Sequence, residues 1–171
     1  MADPLLLTDT LIQNSFVQSI QDVFRTMAQH SIVFVERAPA IEAPTPEGVP
    51  QIIGNVGFVG KVNGLVYLCM PEAFGRQVAC AMLGMDVSEL MMSGTEALND
   101  VIGEITNMTV GGFKNSLSDV GFPCKLTVPT IVRGTGLSVR SIKTAHRYIF
   151  HFDCKGVRVS VDIQMQVETQ P

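Results

Sequence analysis

A carboxylate and a carboxamide stand three positions apart near the middle of the chain, at Glu104 and Asn107, and Asp100 comes four positions before Glu104. On a helix, side chains three and four positions apart are neighbours on one face. A carboxylate can bind a cationic group, and a carboxamide can accept a hydrogen bond from water and donate another to it. An amide is too weak a base to take a proton, so any chemistry of Asn107 would be positional.

These residues lie in a segment that the apolar periodicity predicts to be a long helix, from about Thr95 to Ser118. At about 100° per residue, one face of this helix is apolar and predicts the contact with the core. That face holds Leu98, Ile102, Ile105, Thr109 and Phe113, flanked by Val101. The opposite face holds Asp100, Glu104, Asn107, Gly111 and Lys114.

The polar face goes against helix preference at three positions. Asn107 is a poor helix former in a helix interior. Gly111 and Gly112 follow it, and each glycine costs about 1 kcal/mol relative to alanine. Small residues beside Glu104 and Asn107 could let another surface approach closely. The alternative is a solvated face with glycines where a neighbouring element packs, and the spacing alone leaves both interpretations open.

The whole chain sets the frame for this helix. It has 171 residues, of which 46% are hydrophobic and 16% charged, and this length suits one domain over residues 1–171 with a single core. We find no apolar run of about 18 residues and no basic segment ahead of an apolar one at the N-terminus. The net charge of -4 argues against a nucleic-acid binder. We therefore expect a cytoplasmic protein that binds neither membrane nor nucleic acid.

Cysteine and histidine residues do not suggest a metal site. The four cysteines are far apart, and neither they nor the three histidines show the spacing of zinc ligands. We expect reduced, mostly buried thiols and ordinary histidines. No glycine-rich nucleotide loop or nucleophile motif is found either.

Before the long helix, the pattern predicts helices and one hairpin. The Asn63-Gly64 pair between two apolar runs predicts the turn of that hairpin, because both residue types accept positive φ. The predicted elements are a helix at about 8–29, a strand at 32–35, a proline-rich surface loop at 39–50, hairpin strands at 52–62 and 65–70, and helices at 71–84 and 87–92.

After the long helix, the chain is rich in strand patterns. The predicted strands are 124–132, 137–142, 147–154 and 157–167. The last one alternates apolar and polar residues over its whole length, which is typical of a half-buried antiparallel strand. It could also be an edge strand that pairs across a subunit boundary. The element order predicts an α+β fold with helices packed on an antiparallel sheet.

The motif and its surroundings resemble the CheC/CheX/FliY phosphatases of bacterial chemotaxis. The signature of that family is Asp or Ser, Glu four positions on, Asn three further, and a proline about 22 residues later. Here Asp100, Glu104 and Asn107 match it, and Pro129 follows after 21 residues, positions 108–128. The run from Gly103 to Met108 and the positions of Gly111 and Lys114 also resemble the family. Only one copy of the signature is present, so the resemblance is to the single-site CheX branch.

The resemblance implies a function and a set of roles. It implies a CheC-like fold and hydrolysis of the aspartyl phosphate on a CheY-like response-regulator receiver domain. Asn107 would then orient the attacking water, and Glu104 would pair with a lysine of the receiver. Asp100, Gly111, Lys114 and Pro129 would support the site or bind the partner. The chain would bind no cofactor, because the receiver supplies Mg²⁺, and it would work as a homodimer.

Two other classes of function stay open from the sequence. One is a non-catalytic domain of the same fold that binds a receiver as a scaffold. The other is a ligand-binding regulatory domain, which a large apolar pocket between sheet and helices would indicate. The intact pair of Glu104 and Asn107 favours catalysis, because a scaffold has no need of an exposed asparagine in mid-helix.

Overall fold

The computed structural model describes residues 7–41 and 45–168. The elements in these ranges follow in the order one helix, three strands, three helices and four strands. The helices are α1 (Asp9–Met27), α2 (Glu72–Leu83), α3 (Val87–Met92) and α4 (Gly94–Asp119). The strands are β1 (Val33–Ala38), β2 (Gln51–Gly60), β3 (Val62–Pro71), β4 (Cys124–Leu126), β5 (Thr130–Gly134), β6 (His146–Cys154) and β7 (Val157–Val167).

The strands form one antiparallel sheet in the order β1-β6-β7-β3-β2-β4, and β5 also pairs with β2. Helices α1 and α4 pack on one face of it, with the core between them. Residues of the segment before β2 and of the segment before β6 border the other face. The predicted α+β fold, with helices that include one long helix on an antiparallel sheet, is confirmed.

Aromatic side chains join the two long helices to the sheet. The ring of Phe16 on α1 lies 5.4 Å from that of Phe113 on α4 and 6.4 Å from that of Phe150 on β6. Phe113 also meets Phe58 of β2 at 6.1 Å between ring centroids. All four rings are buried. Helix α4 is therefore held by contacts on its apolar side, which directs its polar side away from the core.

Two glycines allow α4 to approach its neighbours closely. A Cβ atom at Gly112 would collide with Oγ of Ser19 on α1, and that hydroxyl donates a 2.7 Å hydrogen bond to the carbonyl oxygen of Thr109. A Cβ atom at Gly54 of β2 would collide with Oγ1 of the buried Thr106. Gly112 thus allows α1 to pack closely against α4. This agrees with the alternative interpretation, in which glycines of the polar face lie where a neighbouring element packs.

The hairpin turn does not lie at Asn63-Gly64, so that prediction is wrong. Both residues belong to β3, where Gly64 pairs with Phe58, and the chain turns around Lys61. Asn63 Oδ1 instead accepts a 3.0 Å hydrogen bond from the backbone N–H of Gly60. Gly64 lacks positive φ, and it is small because the Phe58 ring crosses over it.

Four predictions about the C-terminal strands are also wrong. Residues 124–132 form two strands, β4 and β5, with a loop between them, and residues 137–142 form no strand. The last strand, β7, is not at an edge, because it lies between β6 and β3. Its polar residues do not all face solvent either, since Asp162 and Gln164 are buried.

All four cysteines lie in the described ranges and carry free thiols, two of them buried. The boundaries of α1, α2, α3, α4, β6 and β7 differ from the predicted ones by at most a few residues. The helices in the described part of the chain include none that is long and apolar enough to span a membrane.

His151 should make stability depend on pH. Its Nδ1 lies 2.9 Å from Ser160 Oγ. Burial, and then the charge of Arg158, lower the pKa of His151 below its ordinary value of 6.5, against an opposing effect of Glu36. As the pH falls below 6.5, the unfolded chain takes up this proton first, so stability is lost. In urea unfolding between about pH 5 and pH 7.5, His151→Gln should show a smaller loss than the natural protein. An equal loss in both proteins would contradict this.

Candidate functional site

Helix α4 presents a polar face opposite its buried stripe. Its apolar residues are buried, as predicted, including Leu98, Ile102, Ile105 and Phe113. On the other side, Asp100 and Glu104 are exposed, and Asn107 is half-buried. The structure therefore places the three predicted residues together on one accessible helix face.

The polar side chains of this face have no partners within the part of the chain that the structure describes. Asp100, Glu104, Asn107 and Lys114 form no ion pair and no side-chain hydrogen bond there, although other charged residues on the helices do, such as Arg25 with Asp22. Helix surfaces commonly satisfy such groups with partners one turn away. The hydrogen-bonding capacity of Glu104 and Asn107 is thus left for solvent or another molecule.

Pro129 stands beside this face, in the loop between β4 and β5. A Cβ atom at Gly103 would lie 3.6 Å from Cβ of Pro129 and 3.9 Å from Cδ1 of Ile131, which are ordinary contacts. Thr127 holds the loop on β2: its backbone N–H donates to the Gly57 carbonyl at 2.8 Å, and its Oγ1 accepts from the Gly57 N–H at 2.9 Å. The proline is thereby fixed against the helical turn that carries Glu104.

Gly111 and Lys114 continue the polar face toward β4. A Cβ atom at Gly111 would lie 4.0 Å from Cδ1 of Leu126, so this glycine has room beside it, unlike Gly112. Burial raises the pKa of the Cys124 thiol, and the nearby charge of Lys114 opposes that shift. Lys114 is therefore close to Cys124 on β4. Both residues lie on the side of α4 that faces Pro129 and β4.

The structure adds two residues that the sequence did not single out. Thr127 anchors the loop, and Val128, between Thr127 and Pro129, is 83% exposed. An apolar side chain this exposed beside a polar helix face suits contact with another protein. Nothing in the sequence distinguishes Val128 from a core valine, because its exposure depends on the path of the loop between β4 and β5, which both pair with β2.

The arrangement of Glu104 and Asn107 is better suited to positioning groups of another molecule than to binding a metal ion. The described residues include no group of three or more His, Cys, Asp or Glu side chains that could hold a metal ion. A carboxylate and a carboxamide one turn apart, with a proline wall on one side and Gly111 on the same face, can enter a concave site of another molecule. There they could bind a cation and orient a water.

The chain is similar to CheX proteins in sequence and in structure. The family model described as Chemotaxis phosphatase CheX matches residues 52–153. The CheY-P phosphatase CheX of Thermotoga maritima is 26% identical over 133 residues, which are 78% of this chain and 82% of that protein.

Solved structures share the fold. The CheX protein from Vibrio vulnificus is similar with a TM-score of 0.75 and 25% identity, over 91% of this chain and 99% of that one. CheX in the CheX–CheY–BeF3–Mg²⁺ complex from Borrelia burgdorferi is similar with a TM-score of 0.68 and 20% identity, over 91% of this chain and 97% of that one.

Proposed function

The chain belongs to the CheX family of chemotaxis phosphatases, and on that premise we propose that it removes the phosphoryl group from a phosphorylated CheY-like receiver domain. One observation carries this proposal to particular residues: Glu104 and Asn107 share an accessible face of α4 and have no partners in the described part of the chain. The relative from Thermotoga maritima is a CheY-P phosphatase, and the one from Borrelia burgdorferi forms a complex with CheY.

Asn107 orients the attacking water in this proposal. Phosphoryl transfer asks the protein mainly for alignment and charge stabilisation, and a carboxamide orients water in the GTPases. Asn107 is half-buried, and the opposite side of its helix is packed against the core. Its backbone is therefore held in place, which supports a role in positioning. The water then attacks the phosphorus atom in line with the bond to the aspartate oxygen, and that bond breaks.

The receiver contributes the remaining groups. We place Mg²⁺ and the phosphorylated aspartate on the receiver, and we propose that this chain binds no cofactor of its own. Asp100, Gly111, Lys114 and Pro129 form the surroundings of the pair. Of these, Gly111 leaves room for the receiver, and Pro129 shapes one wall. Because the receivers of chemotaxis work inside the cell, we place this protein in the cytoplasm.

Glu104 fixes the register of the docked helix by pairing with the receiver's lysine. A hydrogen bond to a charged partner contributes about 1.5–3 kcal/mol, so Glu104→Ala should weaken the complex by roughly 10-fold or more. The affinity can be measured by calorimetry with receivers held in the phosphorylated state by beryllofluoride. Glu47→Ala, an exposed glutamate in the segment beside the sheet face away from α4, is the matched control and should bind normally. Equal affinities of the two variants would contradict the role of Glu104.

The function itself is tested by a dephosphorylation time course. A panel of ³²P-labelled receiver domains from the same organism is mixed, with Mg²⁺, with this protein or with buffer. Faster loss of label from at least one receiver is expected. Binding to a receiver with unchanged decay would instead favour a non-catalytic scaffold of the same fold.

We also propose that the protein is a homodimer, and the free edge of β1 supports this. Strand β1 pairs only with β6 in the described residues, and its Val33 and Val35 are 56% and 53% exposed. An unpaired edge with apolar side chains is suited to pairing with another chain. Light scattering should give about twice the chain mass of 18.5 kDa, and Val35→Lys should lower it. A mass near 18.5 kDa for the natural protein at micromolar concentration would contradict the dimer.

A further inference from the structure

A cavity of about 520 Å³ lies on the sheet face away from α1 and α4. Its floor is formed by residues of β2, β3, β6 and β7, among them Ile53, Cys69, Ile149, Ser160 and Asp162. Residues within 38–41, 45–49 and 137–139 border it on the other side. A pocket was one of the possibilities left open from the sequence, but it lies on the opposite side of the sheet from the helices.

The two bordering segments are tied to each other. The backbone N–H of Thr45 donates to the carbonyl oxygen of Leu137 at 2.6 Å, and the N–H of Leu137 donates to Thr45 Oγ1 at 2.9 Å. These bonds join segments that are far apart in the sequence. The cavity is thus bounded by a connected piece of backbone.

Buried polar side chains hold one of these segments away from the sheet. Arg147 donates from Nη2 to the Val139 carbonyl at 2.8 Å and to Asp162 Oδ2 at 2.6 Å, and its Nη1 donates to Ser141 Oγ. Gln164 donates to the Arg140 carbonyl at 2.9 Å and accepts from the backbone N–H of the residue after Ser141 at 2.7 Å. Burying such groups is costly unless each is hydrogen-bonded. Here the hydrogen bonds of Arg147 and Gln164 keep this segment at a fixed distance from the strands that form the bottom of the cavity.

The size of the cavity sets it apart from a packing defect. Protein interiors contain few voids larger than a water molecule, whereas small-molecule sites occupy about 300–1,000 Å³. Apolar side chains at its rim stay exposed, with Ile41 at 66% and Val49 at 40%. A ligand in the cavity would cover these two side chains.

The charges of the lining indicate what kind of ligand fits. Arg147 and Asp162 neutralise each other, with side chains only 7% and 9% exposed. Arg158 is the other charged lining residue, and it forms no ion pair or side-chain hydrogen bond in the described ranges. Its cross-strand neighbour Asp153 accepts a hydrogen bond from the Gly156 N–H at the turn. Among the described residues of the lining, Arg158 is thus the arginine that forms no ion pair, although Asp153 lies opposite it on β6.

The distance between the two charged ends suits a chain-like molecule. Arg158 and Asp162 are four residues apart on β7, which corresponds to about 13 Å along a strand. Ser160 lies between them on the same face of β7, and its cross-strand neighbours are Cys69 and His151. The apolar part of the lining includes Ile53, Val139 and Ile149. An apolar ligand of that length would meet the charge of Arg158 at one end only.

We propose that this cavity binds a small amphipathic anion, a medium-chain carboxylate, whose chain lies against Ile53, Val139 and Ile149 and whose head group pairs with Arg158. The apolar walls supply the affinity, and Arg158 selects the charge of the head group. The site is separate from α4, so the proposal does not depend on the phosphatase function.

The test is calorimetric titration of the full chain with octanoate, decanoate and octanol. Saturable binding of octanoate is expected, with decanoate tighter by about fourfold for each added methylene. Arg158→Met should weaken octanoate by roughly 10-fold and leave octanol unchanged. Arg140→Met, an exposed arginine outside the lining, is the matched control and should bind octanoate normally.

A second variant separates the cavity from the surface. Val139→Trp places an indole in the cavity from a bordering segment, and it should abolish binding of both octanoate and octanol while the circular dichroism spectrum stays that of the natural protein. Octanoate binding that does not saturate, or that Arg158→Met and Val139→Trp leave unchanged, would overturn the proposal. Equal affinity for octanoate and octanol would overturn the role of Arg158 and with it the anionic ligand.

Discussion

Asn107→Ala is expected to slow the dephosphorylation of a bound receiver by about 100-fold, the loss that misplacing a reacting group by about 1 Å can cause. The methyl group of alanine can neither accept nor donate a hydrogen bond, so the attacking water loses its orientation. The helix should persist, because alanine is the better helix former. Single-turnover loss of ³²P from the receiver measures the effect.

The affinity for the receiver distinguishes a role of Asn107 in orienting water from a structural role. Asn107→Ala should leave the affinity for a beryllofluoride-activated receiver within a few fold, while the rate falls. Asn14→Ala, an exposed asparagine on α1, should change neither rate nor affinity. If Asn107→Ala lost binding and rate together, Asn107 would be a docking residue. If it lost neither, the proposed site would be wrong.

Asp162→Ala is expected to destabilise the fold by about 3–5 kcal/mol, the usual cost of removing one member of a buried ion pair. Asp162 accepts from Arg147 at 2.6 Å, and both side chains are almost fully buried. The substitution leaves the guanidinium in the sheet face with only Val139 and Ser141 as partners. The free energy of unfolding in urea measures the loss.

A surface ion pair of the same composition is the matched control. Asp22 accepts from Arg25 at 2.7 Å, but these side chains are 51% and 71% exposed. Exposed pairs contribute about 0.2–1 kcal/mol, so Asp22→Ala should have a small effect. Equal losses from Asp22→Ala and Asp162→Ala would contradict the assignment. Replacing Arg147 by Met and Asp162 by Leu together should cost less than Asp162→Ala alone, because no charge is then left buried and unpaired.

Sequence patterns predicted the helices and the long strands well, and the failures have a common cause. The stripe of apolar residues on α4 and the alternation along β7 are local periodicities that burial on one side produces. Asn63-Gly64 carries a strong local signal for a turn, yet the chain turns near Lys61. The packing of Phe58 over Gly64 overrides that signal, and no local pattern records a contact between neighbouring strands.

The candidate site shows the same division. Glu104 and Asn107 share a face because of helical geometry, which follows from their spacing alone. That Pro129 stands against Gly103, or that Gly112 serves contact with α1 while Gly111 faces the site, depends on contacts across the fold. The two adjacent glycines look alike in the sequence and have different roles because they point about 100° apart around the helix.

The amino-acid sequence by itself determined the fold class, the long helix, its polar face and the resemblance to the chemotaxis phosphatases. These features depend on periodicity and spacing, which local backbone geometry converts directly into structure. The tertiary structure alone decided that β7 lies inside the sheet, that Asp162 and Gln164 are buried with Arg147, and that a cavity opens beneath Leu137 and Val139. A polar residue on a strand looks the same whether it meets water or a partner, because its partner comes from a distant part of the chain.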